Sequence, residues 1–231
     1  MQYQLTIDID STGLTNIYNA GQYVTLVKSV GSTTSAANSV AWVTFEPYQT
    51  NIVTWVENYY MYATTQSLQS GATIVMTSQT SSAVQTGWTY TFEQGQFTGA
   101  TGGASGSFNG ENQQANGVNF GLAQQANING SISYAPLNAV PVNFNQNVSF
   151  TPMETVSIYL SSYSNNGVVI SSVAGNALAV TLTSANPNAL IGFNDTNNTF
   201  YLESVSAAAL SHAEVATRRI GGRGKAERQL R

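Results

Sequence analysis

Short segments with a period of two govern what this chain can fold into. Tyr3, Leu5, Ile7 and Ile9 alternate with Gln4, Thr6, Asp8 and Asp10, and such alternation turns every second side chain towards a buried face. Comparable segments rich in Val, Ile, Thr and aromatics recur at 23–30, 40–46, 52–62, 73–80, 87–93, 131–134, 155–163, 168–173, 177–183, 189–193 and 199–203. Val142, Phe144, Gln146, Val148 and Phe150 give one more strict alternation. Residues 13–21 read as a loop and 31–38 as a Ser/Thr/Ala linker. Many short strands separated by turn residues predict an all-β, antiparallel, jelly-roll-like β-sandwich over residues 1–203.

The stretch 39–62 holds two of the three tryptophans and reads as a central hairpin. Pro47-Tyr48-Gln49-Thr50 supplies the turn, because proline lacks a ladder N–H and suits the second turn position. The implied register sets Trp42 opposite Trp55 and Phe45 opposite Ile52. Apolar residues on both faces fit a core strand pair or an aromatic platform for a ligand.

Residues 95–130 are dense in Gly, Ser, Asn and Gln, with isolated apolar positions such as Phe97, Phe108, Phe120 and Leu122. This composition predicts a flexible insertion, with a mobile amphipathic hairpin and a pair of weak strands as the alternatives. Asn166-Gly167 predicts a two-residue hairpin between 155–163 and 168–173. Beyond residue 203 the alanine-rich run to Arg219 favours helix, and Gly221-Gly222 stops it. A basic remainder closes the 204–231 tail, either native or a vector-derived extension.

Charge excludes most chemistry. Residues 1–203 carry nine carboxylates and a single base, Lys28, for a net charge of −8. Phosphate recognition needs Lys and Arg, so the body is not expected to bind nucleic acid or a phosphate cofactor. With no cysteine in 231 residues there are no disulfides or thiolate sites. The N-terminal segment has no apolar run of a signal peptide, which leaves a secreted or a cytoplasmic location open. The only histidine, His212, lies in the tail, so Ser-His-Asp hydrolysis and ordinary zinc sites are not expected.

Two kinds of carboxylate site stay open. Glu46, Glu57 and Glu93 neighbour aromatics, and the segment Trp55-Val56-Glu57-Asn58-Tyr59-Tyr60-Met61-Tyr62 resembles the Glu-aromatic strands of jelly-roll xylanases over fewer than ten residues. That family's second carboxylate motif has no match here. In the expected register Glu46 and Glu57 do not pair, so a glycoside hydrolase is the lesser alternative to a non-enzymatic protein. Asp8 and Asp10 open an EF-hand-like spacing with Gly13 sixth, but Asn19 stands where the bidentate glutamate belongs, which makes calcium a weak candidate. No cofactor is expected.

A polar, weakly charged, tyrosine-rich sandwich suits glycans, whose hydroxyls pair with Asn, Asp and Thr and whose ring faces stack on aromatics. The expected function is therefore lectin-like glycan binding through the loop residues Tyr48, Asn51, Asn194, Asp195 and Asn197. Two alternatives belong to other classes. One is a membrane-active pore former, for which the Ser/Thr/Gly-rich middle would supply staves. The other is a self-assembling layer, fibre or inclusion subunit, because a body with one lysine has little edge protection. The expected partners are glycans or further copies of the chain, with a membrane for the pore-forming case, and a homo-oligomer is expected.

Overall fold

The computed structural model describes residues 1–34 and 37–208. In chain order it runs β1 (Gln2–Asp8), α1 (Ser11–Asn19), β2 (Tyr23–Ser32), β3 (Asn38–Ala41), β4 (Val43–Phe45), β5 (Thr50–Thr64) and β6 (Ser78–Gln79). There follow β7 (Trp88–Glu93), β8 (Gln96–Thr101), β9 (Phe108–Asn112), β10 (Val118–Ile128), β11 (Ser131–Pro136) and β12 (Asn138–Val142). The last strands are β13 (Gln146–Ser161), β14 (Val168–Ile170), β15 (Leu178–Thr181), β16 (Asn188–Asn194) and β17 (Thr199–Ser206).

The strands form two packed sheets. The larger has the order β14-β3-β12-β10-β5-β1-β16-β17, with β11 on β10 and β6 on β5. The smaller has the order β4-β2-β13-β9-β7-β8, with β15 on β13. Leu5, Ile7, Val53, Trp55, Met61 and Phe120 of the larger sheet meet Leu26, Val148, Phe150, Val156 and Ile158 of the smaller in one core. The long strand β5 alternates as the sequence implies, with Val53, Trp55, Tyr59, Met61 and Ala63 turned inward. A second, smaller cluster lies around Tyr62, with Val40, Ile74, Ala123, Ala139 and Val169. The fold is thus all-β and sandwich-like, but both sheets are mixed: β1 runs parallel to β16, and β7 parallel to β9. The purely antiparallel expectation fails there.

Several local expectations change. The turn at 47–50 exists, but it joins two sheets instead of closing a hairpin. β4 pairs with β2 in the smaller sheet, whereas β5 pairs with β1 and β10 in the larger. Trp42 stands between β3 and β4, where the chain crosses, and its backbone N–H donates to Leu26 O at 2.9 Å. The two tryptophans still meet, edge to face with ring centroids 5.5 Å apart.

Residues 95–130 are not a loop: they carry β8, β9 and β10, and β10 lies between β5 and β12. Their glycines serve close packing. A Cβ on Gly121 would come within 2.0 Å of Asn138 O and 2.6 Å of the Tyr62 ring. Residues 13–21 hold most of α1, whose N-cap Asp10 accepts the Gly13 N–H at 2.8 Å. The alternation at 142–150 breaks between β12 and β13, where Asn145 has φ 58°. Asn166-Gly167 closes no hairpin, because β13 and β14 belong to different sheets and β14 pairs with β3. Residues 73–80 keep only the short β6. At the C-terminal boundary β17 continues through Ser206, and the expected helix and His212 lie outside the described residues.

Candidate functional site

Two irregularities, one in each sheet, face each other across the core. Where β5 passes β10, Val56, Glu57 and Asn58 stand opposite the single residue Gln125. Where β13 passes β2, Met153, Glu154 and Thr155 stand opposite Ser29. Bulges of this kind re-aim side chains. Here each bulge carries a glutamate at its middle.

Between the bulges lies Lys28. Its parity in β2 matches Val24 and Leu26, so its side chain enters the core, where it is fully buried. Nζ donates to Tyr59 Oη at 3.0 Å, Gln124 Oε1 at 2.9 Å and Glu154 Oε1 at 2.8 Å, and lies 2.8 Å from Glu154 Oε2. The rings of Trp42, Trp55 and Tyr59 surround it, with centroids 5.7, 5.5 and 5.0 Å from Nζ. A buried ammonium is tolerated only with such compensation. Burial pulls the Lys28 pKa down to about 8, and the neighbouring Glu154 opposes that shift.

Glu154 is as fully engaged as its partner. Tyr59 Oη donates to Oε1 at 2.6 Å and Trp55 Nε1 donates to Oε2 at 2.7 Å. Gln124 Nε2 donates to Val56 O at 2.6 Å, which fixes the β5 bulge from within. Tyr3 Oη donates to Glu57 Oε1. Burial, followed by the carboxylates, raises both phenols well above the ordinary tyrosine range: Glu154 acts on Tyr59 and Glu57 on Tyr3.

A groove of about 560 Å³ opens beside this centre, lined by Glu57, Tyr59, Gln85, Thr86, Phe108, Thr151, Pro152 and Glu154 among others. Its volume falls within the ~300–1,000 Å³ typical of small-ligand sites. The Tyr59 and Phe108 rings, 5.5 Å apart and tilted by 48°, form an aromatic corner. Both oxygens of Glu154 accept from protein donors, Oε1 from Lys28 and Tyr59 and Oε2 from Trp55.

The residues expected to bind ligand lie elsewhere, and none lines this groove. Tyr48 is exposed, but Asn51 is buried and holds the 47–50 turn, accepting from Tyr48 N at 2.8 Å and donating to Tyr48 O at 2.7 Å. Asn194 closes an Asx turn by accepting from Thr196 N and Asn197 N, while Asn197 itself is exposed. Asp195 O accepts from Asn16 Nδ2 at 3.3 Å, and Pro47 O accepts from Tyr18 Oη at 2.5 Å, so α1 holds both loops. Asp10 is spent on the α1 cap, and Asp8 accepts from Thr50 Oγ1 at 3.3 Å. Among the described residues no three His, Cys, Asp or Glu side chains gather to hold a metal ion.

Lys28 escaped the sequence reading as a site residue, although its place on the Val24–Leu26 face and its isolation as the body's one base both point to it. Fold and site together define an all-β, two-sheet protein with a buried Lys–Glu centre beside a groove. Comparison with protein-family models, with curated proteins and with solved structures finds no match to this chain.

Proposed function

We propose that this protein binds glycans without transforming them, and that the groove between the Glu57 and Glu154 bulges is the sugar site. The observation that carries the reading is the lining itself. Pro152 and the small exposed parts of Tyr59 and Phe108 offer apolar surface, while Gln85, Thr86, Thr151 and the carboxylates offer hydrogen-bonding partners within one concavity. That mixture suits a sugar, which is apolar on its faces and polar at its rim. The Lys28–Glu154 ion pair serves as a support that holds the two bulges at fixed positions. The jelly-roll-like expectation is compatible with this placement, although the site lies across the sandwich and not in the end loops.

The test is a glycan array with the full chain, repeated with Gln85→Ala and Thr86→Ala, both at exposed positions on the rim. Selective binding that either variant weakens supports the reading. Binding that survives both variants moves the site away from the groove, and a blank array removes the function.

A second reading, self-assembly, has its own observation. β17 ends the larger sheet, and Tyr201, Leu202 and Val205 on it are exposed with no Lys, Arg or Pro in the strand. Such an edge is a template for another strand. Elution in size exclusion that shifts to smaller species on Leu202→Lys supports it. Membrane insertion by residues 95–130 is supported less, because freeing them would tear β10 from both β5 and β12.

A further inference from the structure

Resting on the glycan reading, we infer that the groove selects sugars bearing a protonated amine, the 2-amino-2-deoxy class, over neutral and anionic ones. Its two carboxylates are not equivalent. Glu154 is matched by Lys28, and its oxygens are taken by Tyr59 and Trp55 as well. Glu57 is exposed on its bulge; Tyr3 donates to one oxygen, and no described residue donates to the other.

The charged and titratable groups around Glu57 are Tyr3, Tyr59, Glu154 and Lys28. The one cation among them is already committed to Glu154. The lining includes no Lys, Arg or His. An entering ammonium therefore meets an unmatched carboxylate. Anionic sugars meet the opposite. Sulfate or carboxylate substituents would face Glu57 with no base to receive them, under the field of a body with nine carboxylates and one lysine.

The experiment compares two probes of equal length, a β-1,4-linked glucosamine tetramer and its fully N-acetylated form, by titration calorimetry on the full chain. It is run near pH 5, well below the ~7.7–8.0 of an α-amino group, so that the sugar amines are protonated. The expected result is that the amine form binds about tenfold tighter, the scale of one charge-assisted hydrogen bond. Glu57→Gln, isosteric and at an exposed position, should remove that advantage by weakening the amine form much more than the N-acetylated one. Raising salt should weaken only the amine form. Equal or tighter binding of the N-acetylated tetramer, or an amine advantage that survives Glu57→Gln, overturns the inference while the glycan reading stands. So does binding of other neutral glycans with neither tetramer bound. A chain that binds no glycan at all overturns both.

Discussion

Trp55 Nε1 donates to Glu154 Oε2 at 2.7 Å, tying a central strand of the larger sheet to a bulge in the smaller one. Through Glu154 the same contact reaches Lys28, so the sandwich is joined at its middle by a charge pair as well as by apolar packing.

Breaking that pair should cost more from one side than from the other. Lys28 is fully buried, whereas the Glu154 side chain keeps 13% of its surface exposed. Glu154→Gln strands the ammonium and should destabilise by about 3 kcal/mol; Lys28→Met strands a carboxylate that water reaches and should cost about 2 kcal/mol. The double variant should lose at least ~1 kcal/mol less than the sum of the two. Urea unfolding of all four proteins measures this, and additive losses would deny the coupling.

The pH dependence of stability has two opposed limbs. Lys28 has a folded pKa lowered to about 8 from an ordinary 10.5, so between those values the unfolded chain binds more protons and stability rises with pH. Tyr3, Tyr59 and Tyr62 are raised above their ordinary 10.0, chiefly by burial, so above that value the folded state binds more protons and stability falls. Melting temperature should therefore climb from pH about 8, pass a maximum near 10 and then drop. In Lys28→Met the climb should vanish and the drop remain.

Glycines of the 95–130 stretch should divide by environment. Gly121→Ala puts a methyl against Asn138 O and the Tyr62 ring and should cost about 3 kcal/mol or prevent folding. Gly130→Ala meets no atom within 4 Å, so its loss of about 1–2 kcal/mol should come from the φ of +92° alone. Thermal unfolding of the two variants separates packing from backbone strain. Similar losses would show that Gly121 is not confined.

Asp10→Ala should remove the α1 cap and cost about 1 kcal/mol. Millimolar calcium should shift the melting temperature of neither protein, since Asp10 is committed to the Gly13 N–H. A calcium-dependent rise in the parent that the variant lacks would restore the ion-binding reading.

Much of the fold was legible because alternation is a local signal: β1, β2, β5, β7, β16 and β17 all fall where period-two segments lie. Pairing was less so. The turn at 47–50 is the same in sequence whether the chain folds back in one sheet or steps to the other, and only the partners of Trp42 and Trp55 decide it. Glycine misled in β9 and β10, since in sequence it signals freedom, whereas Gly110 and Gly121 are places where Met61, Phe120 and Tyr62 leave no room for a Cβ. For the site, the parity that puts Lys28 on the face of Val24 and Leu26 was readable. Glu57 shares the parity of Trp55 and Tyr59, and Glu154 that of Phe150 and Val156, but which strands of the two sheets face each other across the core was not readable.

The parallel pairing of β1 with β16 sets Leu5 beside Ala189. On a ribosome that order imposes a wait. β1 emerges well before β16, so one of its two edges stays open while the strands between them are synthesised, and a pairing so distant in sequence closes slowly. For that interval β1, which carries Leu5 and Ile7, presents an unpaired edge of the kind that favours aggregation.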